Sequence, residues 1–239
     1  MKLDNPVVVQ WEYASEERLA TRNATYRRLT EGVNAEELAF EAVAECRPTR
    51  LLEVGCGMGE LAERAARELG AGVIAIDISP RMVEIARERG VDARVGDVQA
   101  LPFADGEFDC VVANWVLYHV PDLDRGVAEI ARVLASTGRL VAATLGDGHM
   151  RELWESLGGE STSGLSFQSS NGEAALRPHF ASVERRDAFG AIVFPDADAI
   201  RAFVGAATTR AHLASAVPEL TEPFRTSSVH AVFVAEKAA

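Results

Sequence analysis

The feature that most constrains this chain is the cadence of residues 50–145, where short apolar runs alternate with amphipathic stretches of helical period. Apolar runs fall at about 50–55, 72–77, 108–113 and 138–145, with a weaker one at 92–96. Between the first two, Met58, Leu61, Ala62, Ala65, Ala66 and Leu69 share one helical face. After the second, Ser79-Pro80 offers an N-cap followed by a first-turn proline. Leu123, Val127, Ile130, Ala131 and Leu134 make a third apolar stripe. Strand, helix, strand, helix in this order builds parallel strands joined by right-handed crossovers, so the fold class is α/β, a doubly wound sheet.

Outside that core the pattern loosens. Two helices are predicted upstream, over about 14–30 and 34–46, separated from the first strand by Pro48. Downstream, residues 158–172 are rich in Gly and Ser and read as loop. A short helix near 172–178, a strand near 181–190, a helix near 196–208 and a last strand near 228–235 follow. The chain reads as one domain: an N-terminal helical segment (1–48), a cofactor-binding core (49–146), an acceptor-pocket cap with late core elements (147–226) and a last strand (227–239). At 239 residues it can hide roughly 70 to 75% of its unfolded surface without disulfides or metals. Cys46, Cys56 and Cys110 are odd in number and lack CxxC spacing, as expected of reduced thiols in a cytoplasmic protein.

Charge narrows the partners. Lys and Arg total 24 against 36 Asp and Glu, a net charge of −12, which disfavours nucleic acid and anionic lipid. The start, with three valines at 7–9, is too short an apolar run for a signal peptide, and no window approaches a membrane span.

The most informative stretch is Glu53-Val54-Gly55-Cys56-Gly57-Met58-Gly59, at the junction of the first strand and the first core helix. Ligands of doubly wound sheets sit outside the carboxyl ends of the strands, and a glycine turn there admits a nucleotide-like group close to the backbone. A dinucleotide fingerprint needs glycine at position 60, where this chain has Glu60, a carboxylate that would repel a pyrophosphate. The turn therefore suits a nucleoside ligand without a diphosphate. Asp77 ends the second strand, where its two oxygens can accept the hydroxyls of a ribose. Asp97, in Gly96-Asp97-Val98 after the third strand, can accept from the amino group of adenine.

The stretches LLEVGCGMGELAERAA, VIAIDISPRMVEIARERG, VGDVQALPFADGEFDCVVANWVLYHV and EIARVLASTGRLVAATLG together resemble a class I S-adenosylmethionine-dependent methyltransferase of the small-molecule, type 11-like group. The resemblance covers residues 50–145. It implies a Rossmann-like sheet of seven strands with the last antiparallel, S-adenosylmethionine as cofactor and S-adenosylhomocysteine as product. It further implies that Gly55, Gly57 and Gly59 line the methionine portion, that Glu53 and Cys56 belong to the cofactor-binding set, and that Asp77 binds ribose. Ile78 and Met82 would flank adenine, Asp97 and Val98 would hold its edge, and Asn114 would approach the methionine end, with Trp115, Tyr118, Tyr13 and Tyr26 as aromatic candidates to steady the sulfonium methyl. The acceptor would be a small molecule taking the methyl group on O, N or C, bound by a monomer or homodimer. A catalytically silent cofactor-binding protein and an NAD(P)-dependent reductase are the alternatives, the latter disfavoured by Glu60.

His119, in Tyr118-His119-Val120-Pro121 after the fourth strand, is the candidate base, and a histidine that merely holds the turn is the equal alternative. Similar O-methyltransferases pair this histidine with a carboxylate ending the fifth strand, where this chain has Thr144, with Asp147 beyond. Trp11, Tyr13, Tyr26, Trp154, Phe167 and Phe194 are candidate aromatic lining or core, and Arg22 and Arg151 read as solvated, with a carboxylate of the cofactor or acceptor as the alternative partner. His149, His179, His212 and His230 show no metal spacing, so no metal is expected.

Overall fold

The computed structural model describes residues 3–160, 164–207 and 209–237. In chain order the elements are α1 (Pro6–Glu12), α2 (Glu17–Leu29), β1 (Thr30–Gly32), α3 (Ala35–Cys46), β2 (Arg50–Val54), α4 (Glu60–Leu69), β3 (Gly72–Asp77), α5 (Pro80–Glu88), β4 (Asp92–Val95), β5 (Phe108–Val112), α6 (Leu123–Val133), β6 (Leu134–Leu145), α7 (Arg151–Ser156), α8 (Gly172–Leu176), β7 (Ser182–Phe194), α9 (Ala197–Gly205) and β8 (Phe224–Glu236). The strands form one sheet in the order β1-β7-β8-β6-β5-β2-β3-β4. The pairs from β6 through β4 are parallel. The last strand, β8, runs antiparallel between β6 and β7.

The period of two along the strands divides the interior into two layers. Val111, Leu140 and Phe233 face the layer holding Val127 and Ile130 of α6. Their neighbours Cys110, Val112, Val141, Val232 and Val234 face the layer holding Ala39, Phe40 and Val43 of α3. A third cluster under the late segment joins Met150, Trp154, Phe194, Ile200 and Phe203. β2, β3 and β5 end side by side at Val54, Asp77 and Val112. The glycine turn, Asp77 and Asn114 therefore share one edge.

The structure departs from the sequence expectations in several places. Among the described residues there are eight strands, not seven, because Thr30–Gly32 adds an antiparallel edge to β7. Its closeness rests on two glycines: a Cβ on Gly32 would lie 2.9 Å from the Gly190 Cα. The helix expected from residue 14 begins at Glu17, and α1 precedes it. There Asn5 Oδ1 accepts from the Val7 N–H and Pro6 opens the first turn. α7 occupies a stretch with no predicted element, β7 continues to Phe194, and β8 starts at Phe224. Part of the expected 158–172 loop, residues 161–163, lies outside the described residues, as does residue 208 of the expected 196–208 helix.

Candidate active site

A cavity of about 1040 Å³ opens at the carboxyl edge of the strands and is roofed by α1, α2 and the late segment. Its floor begins at the glycine turn. Gly55, Gly57 and Gly59 have φ of +68°, +51° and +76°, which side chains resist. The exclusion at two of them is by protein rather than ligand. A Cβ on Gly55 would overlap the Val116 side chain, and one on Gly59 would lie 2.7 Å from the Ala86 Cβ of α5. Gly57 is the position closest to the roof, with Leu19 of α2 3.2 Å from its would-be Cβ.

Asp77 knits this turn to the next strand end. Its Oδ2 accepts from the Gly57 N–H at 2.9 Å and its Oδ1 from the Ser79 N–H at 2.8 Å. Each oxygen keeps a further lone pair for a ribose hydroxyl. Burial pushes the carboxyl above its ordinary range. Asp97 caps the short 3-10 turn after β4 and accepts from the Gln99 N–H at 2.9 Å. Ile78, Asp97 and Val98 all line the cavity.

Glu53 and Asn114, also in the wall, are chemically complementary. Glu53 is buried, and its Oε2 has no hydrogen-bond partner among the described residues. Burial, reinforced by the Asp77 and Glu60 charges, pushes its carboxyl up to about 8. Asn114 Oδ1 accepts from the Ala143 N–H at 3.1 Å, while its Nδ2 is likewise buried and unpartnered. One orphaned acceptor and one orphaned donor fit the ammonium and carboxylate of an amino-acid tail. Cys56 lines the same region, its thiol raised by burial. Trp115, strained at φ +54°, is held by its N–H on the Ala143 carbonyl at 2.8 Å.

Two sequence-nominated cofactor contacts stand behind the wall. Met82 is fully buried in the first turn of α5, its N–H on Ser79 Oγ, and does not line the cavity. Gly59 is likewise absent from the lining because it packs on α5.

The other end of the cavity gathers tyrosines and histidines. His119 Nδ1 lies 2.8 Å from the Leu3 carbonyl, which can only accept, so Nδ1 carries the proton. Nε2, 3.0 Å from the Tyr13 hydroxyl, is then the acceptor of that O–H. Both ring nitrogens are occupied, and burial lowers the imidazole to about 4. Among the described residues no carboxylate is hydrogen-bonded to it: Thr144 donates to the Phe167 carbonyl at 2.8 Å, and Asp147 accepts from Ser169 Oγ at 2.9 Å outside the cavity wall.

Arg22, expected on a solvated face, is instead turned inward, paired with the buried Glu12 and donating to the Ala206 carbonyl at 2.7 Å. A helix face judged from one helix alone misses what α1 and α9 bring over it. Arg151 is exposed, as expected. Tyr13, Tyr26 and Trp154 line the cavity, whereas Phe167 and Phe194 are core and Trp11 lies 51% exposed beneath the Arg18 guanidinium.

His149 and His230 join the wall from the late segment. His149 Nδ1 accepts from the Val229 N–H at 3.1 Å, so its Nε2–H donates to the Tyr26 oxygen at 3.2 Å. His230 Nδ1 accepts from the Trp115 indole N–H at 3.2 Å. The signal for His230 was a single polar residue inside the apolar run of the last strand, at the ligand edge. Among the described residues no cluster of His, Cys, Asp and Glu could hold a metal ion, and no helix is long and apolar enough to cross a membrane.

Comparison with known proteins agrees with this geometry. A family profile described as a methyltransferase domain matches residues 52–142, from β2 into β6. Residues 52–142 match a methyltransferase domain, and S-adenosylmethionine is the cofactor that this match supports. Over 103 residues the chain is 44% identical to the ubiquinone biosynthesis O-methyltransferase of Xanthomonas oryzae pv. oryzae, covering 40% of this chain and 43% of that one. It is 36% identical over 122 residues to methyltransferase GfsG of Streptomyces halstedii, covering 48% and 44%. The chain thus spans less than half the length of these relatives. The crystal structure of the cyclase SpnF shares the fold, with a TM-score of 0.62 and 24% identity over 94% of both chains. The matched residues include the glycine turn, Asp77, Asp97 and Asn114, whereas Arg22, His149 and His230 lie outside them.

Proposed function

We propose that this chain transfers a methyl group from S-adenosylmethionine to O, N or C of a small metabolite. The observation that carries the reading is the pair of orphaned atoms in the cavity wall, Glu53 Oε2 and Asn114 Nδ2, at the strand ends beside the Gly55–Gly59 turn. Glu53 would take the α-ammonium of the methionine tail and Asn114 would donate to its carboxylate. Asp77 would hold the ribose, with Ile78, Asp97 and Val98 around the adenine. The bound cofactor supplies an electrophilic methyl on a sulfonium.

The protein's own part is orientation and the exclusion of water. Holding two reactants in line contributes on the order of 7 to 11 kcal/mol against bimolecular encounter, so no covalent step on the enzyme is needed. α1 and α2 close the cavity, and residues 147–226 shape its acceptor end. His119 acts in this reading as a positioning residue that ties Leu3 and Tyr13 over the site. The relative from Xanthomonas oryzae is by name an O-methyltransferase, which favours an oxygen acceptor. The net charge of −12 supports a small-molecule acceptor over nucleic acid. Glu60, at the start of α4 where a dinucleotide fingerprint needs glycine, disfavours the reductase alternative.

The test is a screen of metabolite classes with radiolabelled methyl donor. Label in a phenol, enol, amine or carbon acid supports methyl transfer. Tight cofactor binding with no label in any class would favour the catalytically silent alternative.

A further inference from the structure

The three histidines of the cavity share a property that bears on what the acceptor must be. In each, the hydrogen bonds decide where the ring proton sits, and none offers a free basic nitrogen. His119 Nε2 accepts from Tyr13, His149 Nδ1 from the Val229 N–H, and His230 Nδ1 from the Trp115 indole N–H, which can only donate. His230 differs from the other two in one respect. Its proton is confined to Nε2, and that N–H meets no protein acceptor among the described residues, although the residue is 93% buried by its 7% exposure and forms part of the cavity wall. An N–H in the cavity wall that has no protein acceptor is open to an acceptor atom of a ligand.

The surroundings of that N–H are flat and aromatic. Trp115, Tyr26 and His149 stand edge-on to the His230 ring, with centroids 5.8, 6.0 and 4.6 Å away. Phe203 meets Tyr26 edge-on at 5.8 Å behind them. Such walls suit a planar conjugated ligand. Resting on the methyl-transfer reading, we infer that His230 is the acceptor-binding hydrogen-bond donor, and that the acceptor is a planar phenol or enol whose oxygen receives the Nε2–H.

The chemistry balances without a histidine base. An acidic phenol or enol loses its proton to solvent before it enters, and the Nε2–H holds the resulting oxyanion. One lone pair of that anion forms the new bond to the methyl carbon while the pair of the breaking carbon–sulfur bond stays on sulfur. The neutral state of His230 is consistent with this role, since burial lowers the ring to about 4.

The probe is 4-nitrophenolate, added to protein loaded with S-adenosylhomocysteine and followed by its absorbance and by the ring nitrogen and proton resonances of His230. The expected result is an Nε2–H tautomer in the loaded protein, a downfield move of that proton when the phenolate is added, and a lowered apparent pKa of the bound nitrophenol. His230→Phe is expected to weaken the phenolate at least tenfold and His230→Gln, which keeps an N–H, by less. Both variants should leave the dissociation constant for S-adenosylhomocysteine within about twofold. A proton on Nδ1, an unmoved His230 resonance, or equal phenolate affinity in His230→Phe would overturn the assignment. The resonance measurement needs no variant to fold. Failure of S-adenosylhomocysteine to bind at all would instead overturn the methyl-transfer reading itself.

Discussion

At the scale of single residues, two side chains make the sharpest claims. Glu53 is protonated at neutral pH because burial holds its carboxyl at about 8. A cation placed against it must reverse that. Binding of S-adenosylhomocysteine at pH 6.5 is therefore expected to release close to one proton, read by calorimetry in buffers of different ionisation enthalpy, and Glu53→Gln should abolish the release. Unchanged proton release in that variant would remove Glu53 from the ammonium site. Gly55 answers a different constraint, since its φ of +68° and the Val116 side chain both exclude a Cβ. Gly55→Ala should cost roughly 3 kcal/mol of folding stability in urea, the sum of left-handed strain and overpacking. Asp77→Ala removes the proposed ribose acceptor and also the partner of the Gly57 and Ser79 amides. It should weaken S-adenosylhomocysteine at least tenfold while lowering the melting temperature.

At the scale of elements, the segment carrying α1 is fastened to the cofactor edge by three ties: Leu3 and Tyr13 to His119, the Ser79 hydroxyl to the Tyr13 carbonyl at 2.7 Å, and Glu16 to Arg81 at 2.8 Å. Cutting the first with His119→Ala is expected to speed proteolysis within residues 3–16 several-fold and to leave the α/β core intact by circular dichroism. If His119 were the base instead, turnover would fall with no change in cleavage. This strap is also where sequence reasoning reached least far. The core strands and helices were legible because period-two and 3.6-residue patterns run long enough there to be recognised, and Asp77, Asp97 and Asn114 follow from strand ends. α1 has seven residues and β1 three, too few for any period, though Asn5-Pro6 was a readable start signal. Arg22 and His230 acquire their surroundings only from residues far along the chain, Ala206 and Trp115, which no local pattern announces.

At the scale of the whole molecule, the buried histidines dictate how stability responds to acid. His119 and His230 are lowered to about 4, and His149 also lies well below its usual value, so the unfolded chain binds more protons than the folded one between pH 6.5 and 4. Stability is then full above pH 6.5 and is lost as pH falls toward 4. Glu53, raised to about 8, works in the opposite sense between 8 and 4.5, where the folded protein holds its proton. Urea midpoints measured from pH 7 to 4.5 should fall, and fall more steeply in Glu53→Gln. The sheet, the glycine turn and the cavity converge on one ligand, and isothermal titration of the intact chain tests that most directly. The expected result is one-to-one binding of S-adenosylmethionine and S-adenosylhomocysteine, weakened at least tenfold by Asp77→Ala, with no heat from NAD. Binding of NAD without binding of either sulfur nucleoside would contradict it.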